Sequence, residues 1–327
     1  MEIEEKFMRR CIQLARCGIL GAPPNPLVGA VIVHKGKIVG EGYHRRCGGP
    51  HAEVNAVRSV QNPQCLEDST LYVSLEPCSH YGKTPPCCDL IIEKKIPRVV
   101  IGCQDTFGKV NGNGIRRLRE AGVEVEVGLL EKECRNLNER FFTYHTLHRP
   151  WIMLKWAQSE DGFIAGKMGN PVQFSTPLTQ ALMHKERSQC DAILVGTRTV
   201  QKDNPTLDVR HWFGKSPLRI TIDRKGVLPE DLHMKNEVAP WHIYEDGDLD
   251  GILRDLYERG VQSLMVEGGR ELLQSFLKKD LWDEIRVEKS HTCLCEGVPA
   301  PCVEKEIELY STCTLDGNDI RVYRRKV

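Results

Sequence analysis

Residues 48–57 read GGPHAEVNAV. A Gly-Gly-Pro turn stops just before His51, Glu53 follows two places later, and the run then reads as a helix. The turn therefore delivers a histidine and a glutamate side by side to the first turn of a helix. Around this stretch the pattern alternates. "LVGAVIVH" and "KIVGEGY" flank a turn at residues 34–37 and predict a hairpin. "TLYVSLE" predicts a strand, "PCCDLIIEKK" a helix with prolines at its start, and "RVVIGC" a strand. "GIRRLREAG" predicts a helix closed by Gly122, "VEVEVG" a strand, and "LLEKECRNLNERFFTYH" one long helix. At the start, Ile3, Phe7, Cys11, Leu14 and Ala15 form one helical stripe. The order α-β-β-α-β-α-β-α-β-α predicts a three-layer α/β domain.

The pattern restarts at "LHRPWIMLKWA". Pro150 does not continue a helix, and Trp151 begins an apolar strand. A boundary near residues 146–150 gives two domains, 1–147 and 148–327, which suits a chain of 327 residues. In the second half, strands are expected at "WIMLKWA", "AILVG", "PLRITID", "PWHIYED", "SLMVEGG" and "EIRVEKS". Helices are expected over 177–189, 249–259 and 270–279, and a terminal hairpin in "EIELYSTCTLDGNDIRVYRR". This is a second α/β domain.

Lys plus Arg and Asp plus Glu are both 45, so the formal charge is zero. A duplex-binding protein carries a basic excess, so nucleic acid is set aside as a partner. The start "MEIEEKFMRRCIQLARCGIL" is charged and has no signal-like apolar core, and no run elsewhere is long enough to span a bilayer. The expectation is a cytoplasmic enzyme of small molecules, without membrane contact and with a second copy of itself as partner. Fourteen cysteines in such a chain are mostly free thiols, with some as metal ligands. Cys11, Cys17, Cys65, Cys134 and Cys190 are scattered and read as small core residues.

"SLEPCSHYGKTPPCCDL" adds Cys78 and Cys87 after a strand. Zinc takes nitrogen and sulfur ligands, and a catalytic zinc keeps one position open for water. His51, Cys78 and Cys87 supply three ligands from two helix starts, whose positive ends favour thiolate. A water held there loses a proton near neutral pH, and Glu53 is placed to pass protons without binding the metal. His-x-Glu followed by Pro-Cys is the pattern of zinc nucleobase deaminases, here with a longer second gap. Alone, two cysteines also fit a structural zinc pair or plain thiols. Cys88 is a weaker ligand candidate than Cys87, and His80 rivals His51 but lacks a partnering glutamate.

With these residues in place the chain resembles the bifunctional bacterial riboflavin-biosynthesis family, a pyrimidine deaminase fused to a reductase. The matching segments are "PNPLVGAVIV", "GEGYH", "PHAEVNA", "LEPCSHYGKTPPC", "LKWAQSEDGFIA", "DAILVGTRTVQKDNPTLDVR" and "VEGGREL". The resemblance implies a cytidine-deaminase-like first domain and a dihydrofolate-reductase-like second domain. It implies hydrolytic deamination of 2,5-diamino-6-(5-phosphoribosylamino)pyrimidin-4-one with zinc, then NADPH reduction of the ribosyl chain to ribityl. It assigns Asn25, His44 and Lys83 to the deaminase substrate. In the second domain it assigns Arg187, Leu207, Arg210 and Glu267 to substrate, with Lys155 as a further polar partner. Ala157, Thr199 and Asp203 fall on the cofactor side.

"VEGGREL" also has its own physical reading. A strand ends, Gly268 and Gly269 permit close backbone approach, and a helix start at Arg270 can face a phosphate of the cofactor. No G-x-G-x-x-G occurs, so a Rossmann domain is not supported. The chain departs from the family in three places. Phe174 stands where a tryptophan lines the reductase site, Arg224 where a small polar residue sits beside the cofactor, and "QDTFGKVNGNG" lacks a second proline. Rival readings are a deaminase with an inactive reductase half, an editor of RNA bases, and a zinc-stabilised nucleotide-binding protein.

Overall fold

Buried side chains alternate along residues 29–34, with Ala30 and Ile32 joining one apolar layer and Val31 and Val33 another. That period of two makes the segment a strand covered on both faces. The computed structural model describes residues 2–81, 85–105 and 112–326, and the chain divides into the units Met1–Leu147 and His148–Val327.

The first unit runs α1 (Glu2–Arg16), β1 (Gly29–His34), β2 (Lys37–Tyr43), α2 (Ala52–Ser59), β3 (Ser69–Leu75), α3 (Cys87–Glu93), β4 (Arg98–Cys103), α4 (Asn113–Glu120), β5 (Glu124–Val127), α5 (Glu131–Leu137) and α6 (Glu139–Leu147). Its five strands form one sheet in the order β2-β1-β3-β4-β5, antiparallel around β1 and parallel from β3 to β5. The expected hairpin turns on Lys35 and Gly36, both at positive φ (48° and 75°), as a two-residue turn between right-twisted strands requires. One face of the sheet packs on α2, α3 and α4 through Ala52, Ala56, Ile91, Ile115 and Leu118. The other packs on α1, α5 and α6 through Phe7, Met8, Cys134 and Phe142. This is the expected three-layer α/β unit.

The single long helix expected over residues 129–145 is two helices. At Asn138 the backbone leaves the helix (φ −117°, ψ 22°). Its buried side chain accepts from Leu27 N at 2.7 Å and donates to Leu27 O at 2.9 Å. A remote backbone amide competes successfully with the local ladder.

The second unit runs β6 (Trp151–Gln158), β7 (Phe163–Ala165), α7 (Pro177–Ser188), β8 (Ala192–Val195), α8 (Thr197–Asp203), β9 (Leu218–Ile222), β10 (Trp241–Tyr244), α9 (Leu249–Glu258), β11 (Ser263–Glu267), α10 (Arg270–Lys278), β12 (Glu284–Lys289), β13 (Val298–Pro299), β14 (Ile307–Leu315) and β15 (Asn318–Arg325). Eight strands form one sheet, β10-β9-β8-β11-β6-β12-β15-β14, parallel as far as β12 and antiparallel beyond it. Ile152, Leu154, Leu264 and Val266 pack on α9 and α10, and Met153, Ile193 and Met265 face Met183 of α7 and Val200 of α8. The second unit thus has helices on both faces of a mainly parallel sheet. α8 and the small β7-β13 pairing were not anticipated. Among the described residues no helix is long and apolar enough to cross a membrane.

Candidate active sites

In the first unit the glycines of β2 set where α2 lies. A Cβ at Gly42 would fall 2.3 Å from Ala56 N, so only a bare backbone lets the helix approach this closely. His51 is the residue that precedes the helix, in extended conformation (φ −72°, ψ 170°). Cys78 follows the end of β3, and Cys87 opens α3. His51 Nδ1 lies 3.5 Å from Cys78 Sγ and 3.3 Å from Cys87 Sγ. These three ligand atoms all fall within 4.8 Å of one another. Two tetrahedral zinc ligands at ordinary bond lengths stand about 3.6 Å apart, so the trio fits a zinc ion.

The charges agree. The hydrogen bond from Cys87, with those from His51 and the Cys87 backbone, draws the Cys78 thiol down to about 4. The same Cys78 contact and burial push the Cys87 thiol up. A zinc dication would compensate ionisation of both sulfurs. Glu53 is 3% exposed, and burial together with the nearby Cys78 raises its carboxyl above the usual range.

Asn25 and His44 are brought to the same place. His44 Nδ1 is 3.0 Å from Pro50 O, so it carries the proton. Nε2 then accepts from Asn25 Nδ2 at 3.0 Å. Burial, and His51 beside it, hold His44 below its ordinary pKa, consistent with this neutral tautomer. Its ring lies edge-on to that of His51 at 5.2 Å between centroids. Lys83 lies outside the described residues. His80 is exposed and lies outside the His51–Cys78–Cys87 group.

Glu76 escaped the sequence reading, which placed it at the end of a strand. Its buried carboxylate accepts four backbone N–H groups: Gly114 and Ile115 at Oε1 (2.9 and 3.3 Å), Asp105 and Gly112 at Oε2 (3.2 and 3.0 Å). It ties the loop bearing Cys78 to the start of α4, where the helix dipole favours an anion. An acid two residues before a candidate ligand was the available signal.

In the second unit a cavity of about 1360 Å³ opens at the carboxyl ends of β6, β8, β9 and β11. That is where parallel α/β sheets place ligands. Its wall includes Lys155, Ala157, Phe174, Arg187, Thr199 and Asp203. It also includes Leu207, Arg224, Glu267, Gly268 and Gly269. Gly268 and Gly269 both adopt positive φ (78° and 73°), and a Cβ at Gly269 would meet Thr199 Oγ1 at 3.1 Å. The turn favours glycine in conformation, and at the second position a side chain would also crowd Thr199.

Arg187 donates from Nε and Nη2 to the two oxygens of Glu267 at 2.9 and 2.8 Å. Burial pushes the Glu267 carboxyl up, but Arg187 and Lys155 outweigh it and hold it at about 2. Burial raises the Asp203 carboxyl. Arg224 is exposed on the loop after β9. Arg210 is the one assigned residue of this unit that is not on the cavity wall, and it pairs with Asp208.

The family model of the cytidine and deoxycytidylate deaminase zinc-binding region matches residues 1–103, and that of the RibD C-terminal domain matches 150–289. The chain is 41% identical over 320 residues to the riboflavin biosynthesis protein RibD of Aquifex aeolicus (strain VF5), covering 91% of this chain and 89% of that one. It is 39% identical over 307 residues to RibD of Actinobacillus pleuropneumoniae, covering 85% and 81%. Its fold matches the diaminohydroxyphosphoribosylaminopyrimidine deaminase/5-amino-6-(5-phosphoribosylamino)uracil reductase of Thermotoga maritima with a TM-score of 0.91 at 37% identity, over 99% of each chain. Form 1 of Acinetobacter baumannii RibD matches with a TM-score of 0.90 at 29% identity, over 100% of this chain and 99% of that one.

Proposed function

Since the chain belongs to the RibD family of riboflavin biosynthesis, we propose how its own residues divide the two reactions of that family. It is a zinc-dependent pyrimidine deaminase and an NADPH-dependent reductase. We assign deamination to residues 1–147 and reduction to residues 148–327.

For deamination His51, Cys78 and Cys87 would hold zinc, which when bound would acidify a water for attack on the ring carbon bearing the 2-amino group. Glu53 takes a proton from that water and delivers it to the ring nitrogen. It then assists transfer to the amine, so that ammonia leaves and a carbonyl remains. A carboxyl raised by burial suits both taking and giving a proton. Asn25 and His44 orient the pyrimidine, and Lys83 meets its phosphate. The arrangement of Glu53 beside the His51–Cys78–Cys87 trio carries this reading.

For reduction the substrate opens to an imine at C1′, the carbon to which NADPH, when bound, would supply a hydride. Glu267, held ionised by Arg187, faces the substrate hydroxyls or the iminium charge, with Lys155 beside it. Leu207 packs on the substrate, and Arg187 and Arg210 serve its phosphate end. Ala157, Phe174, Thr199, Asp203, Arg224, Gly268 and Gly269 line the cofactor side. The biosynthetic role supports a cytoplasmic setting. A homo-oligomer is supported by β14, an edge strand on which Leu309 and Tyr310 are 51% and 49% exposed. Supplying the diaminopyrimidinone phosphate and following ammonia release and NADPH loss together tests the whole reading. Ammonia release without NADPH loss would leave the second half inactive.

A further inference from the structure

We infer that His184, which the chemistry above does not use, is a positioning residue for reduction, holding the loop that carries Leu207 and Arg210 in its substrate-receiving form. This rests on the assignment of those two residues to substrate.

The loop does not hold itself. Leu207 sits at φ 55°, a left-handed conformation that a leucine adopts only under outside constraint. Four side chains supply that constraint. Arg219 Nη1 donates to Thr206 O at 3.4 Å, and Arg187 Nη1 donates to Asp208 O at 3.3 Å. Val209 N donates to Ser216 Oγ at 2.9 Å, and Arg210 N donates to His184 Nδ1 at 3.2 Å. His184 and Arg187 lie three residues apart on α7 and so share a face. One helical turn thus holds both Glu267 and the loop opposite it.

The His184 anchor exists only while Nδ1 is a lone pair, which requires a neutral imidazole protonated at Nε2. The surroundings enforce this. His184 is 5% exposed, its ring meets that of His211 edge-on at 4.8 Å, and the cations of Arg187 and Arg210 disfavour a further positive charge. Burial, followed by those two arginines and His211, lowers its pKa to about 4, with Asp208 opposing. Without the acceptor, the Arg210 N–H loses its partner and the end of the loop nearest the Arg210 guanidinium is freed. Binding of the reducible substrate then weakens, while hydride transfer in the bound complex changes little.

The test uses the full-length, zinc-loaded protein, the deaminated substrate and saturating NADPH. In H184N the amide oxygen lies near the Nδ1 position; in H184Q it lies one bond further out; H184L has no acceptor. H184L and H184Q should raise the KM for the substrate about tenfold, with kcat within about twofold, and H184N should restore the KM. NADPH affinity and ammonia release from the diaminopyrimidinone should not change. A wild-type KM in H184L, or an H184N as impaired as H184Q, overturns the inference. If H184L does not fold, the Asn and Gln pair decides alone. R210A measured in parallel separates the two layers. A raised KM in R210A beside a wild-type KM in H184L sinks the role of His184 only. A wild-type KM in R210A sinks the assignment of Arg210 itself.

Discussion

Cys87 and Cys88 are consecutive in the chain and opposite in environment. The Cys87 sulfur faces His51 Nδ1 at 3.3 Å, while the Cys88 sulfur meets the carbonyls of Pro77 and Gly114 at 3.4 and 3.6 Å. Successive helix positions diverge by about 100°, and here that angle separates a candidate ligand from a core residue. The Cys88 sulfur lies outside the His51–Cys78–Cys87 group, and burial pushes its thiol up to about 12. Cys87→Ser should therefore lose zinc and Cys88→Ser should keep it, as read by metal content after dialysis. Zinc lost only from the Cys88 variant would exchange the two roles.

Glu53→Gln keeps shape and metal but removes the proton carrier. Ammonia release should fall by about 10²–10⁴-fold. Zinc content and NADPH oxidation with the deaminated substrate should persist. Near-normal ammonia release would remove Glu53 from the mechanism.

Glu267 titrates far below its ordinary 4.5, at about 2. A depressed folded pKa contributes stability above the unfolded value and loses it as pH falls. The buried Arg187–Glu267 pair should thus cost the reductase unit about 2 kcal/mol between about pH 6 and about pH 3. Denaturant unfolding at the two pH values should show that extra slope in wild type and not in Glu267→Gln. Equal slopes would mean the carboxylate is not held ionised by its neighbours.

Arg224 is exposed on the cavity wall after β9. An arginine there is free to fork onto a 2′-phosphate. Arg224→Ala should weaken NADPH by about tenfold or more and leave NADH unchanged. If titrations with both cofactors match wild type, selectivity lies elsewhere, around Thr199 and Asp203.

Replacing Glu76 by Ala strands four backbone N–H groups at once, three of them buried. The expected loss is about 3 kcal/mol or more, confined to the first unit. Following zinc release and reductase activity separately in urea should show the first midpoint falling while the second stays. A shared shift, or none, would contradict the anchoring role.

What was legible in the sequence was whatever depends on neighbours along the chain. The hairpin at Lys35-Gly36, the start of α2 after His51 and the Gly-Gly turn before Arg270 all follow from local conformational demands. The His-x-Glu and Pro-Cys pairs are close in sequence and carry their chemistry with them. What was hidden depends on partners far away. Asn138 breaks a helix because of Leu27, and nothing in "RNLNERF" indicates that. Glu76 reads as a strand end until the amides of Gly112, Gly114 and Ile115 are seen around it. His184 reads as a helix-face histidine until the loop ending at Arg210 folds against it. α8 is too short and too polar for periodicity to reveal.

The clasp of Asn138 on Leu27 bears on how this protein can be cut. The stretch that matches a deaminase zinc region ends at residue 103. A fragment trimmed to that match would keep His51, Glu53, Cys78 and Cys87, yet it would discard the Gly112, Gly114 and Ile115 amides around Glu76 and the Asn138 amide that fixes Leu27. Leu27 is two residues from Asn25, so the loss reaches the pyrimidine-holding loop. A stand-alone deaminase excised from this chain has to run to the end of α6, at Leu147.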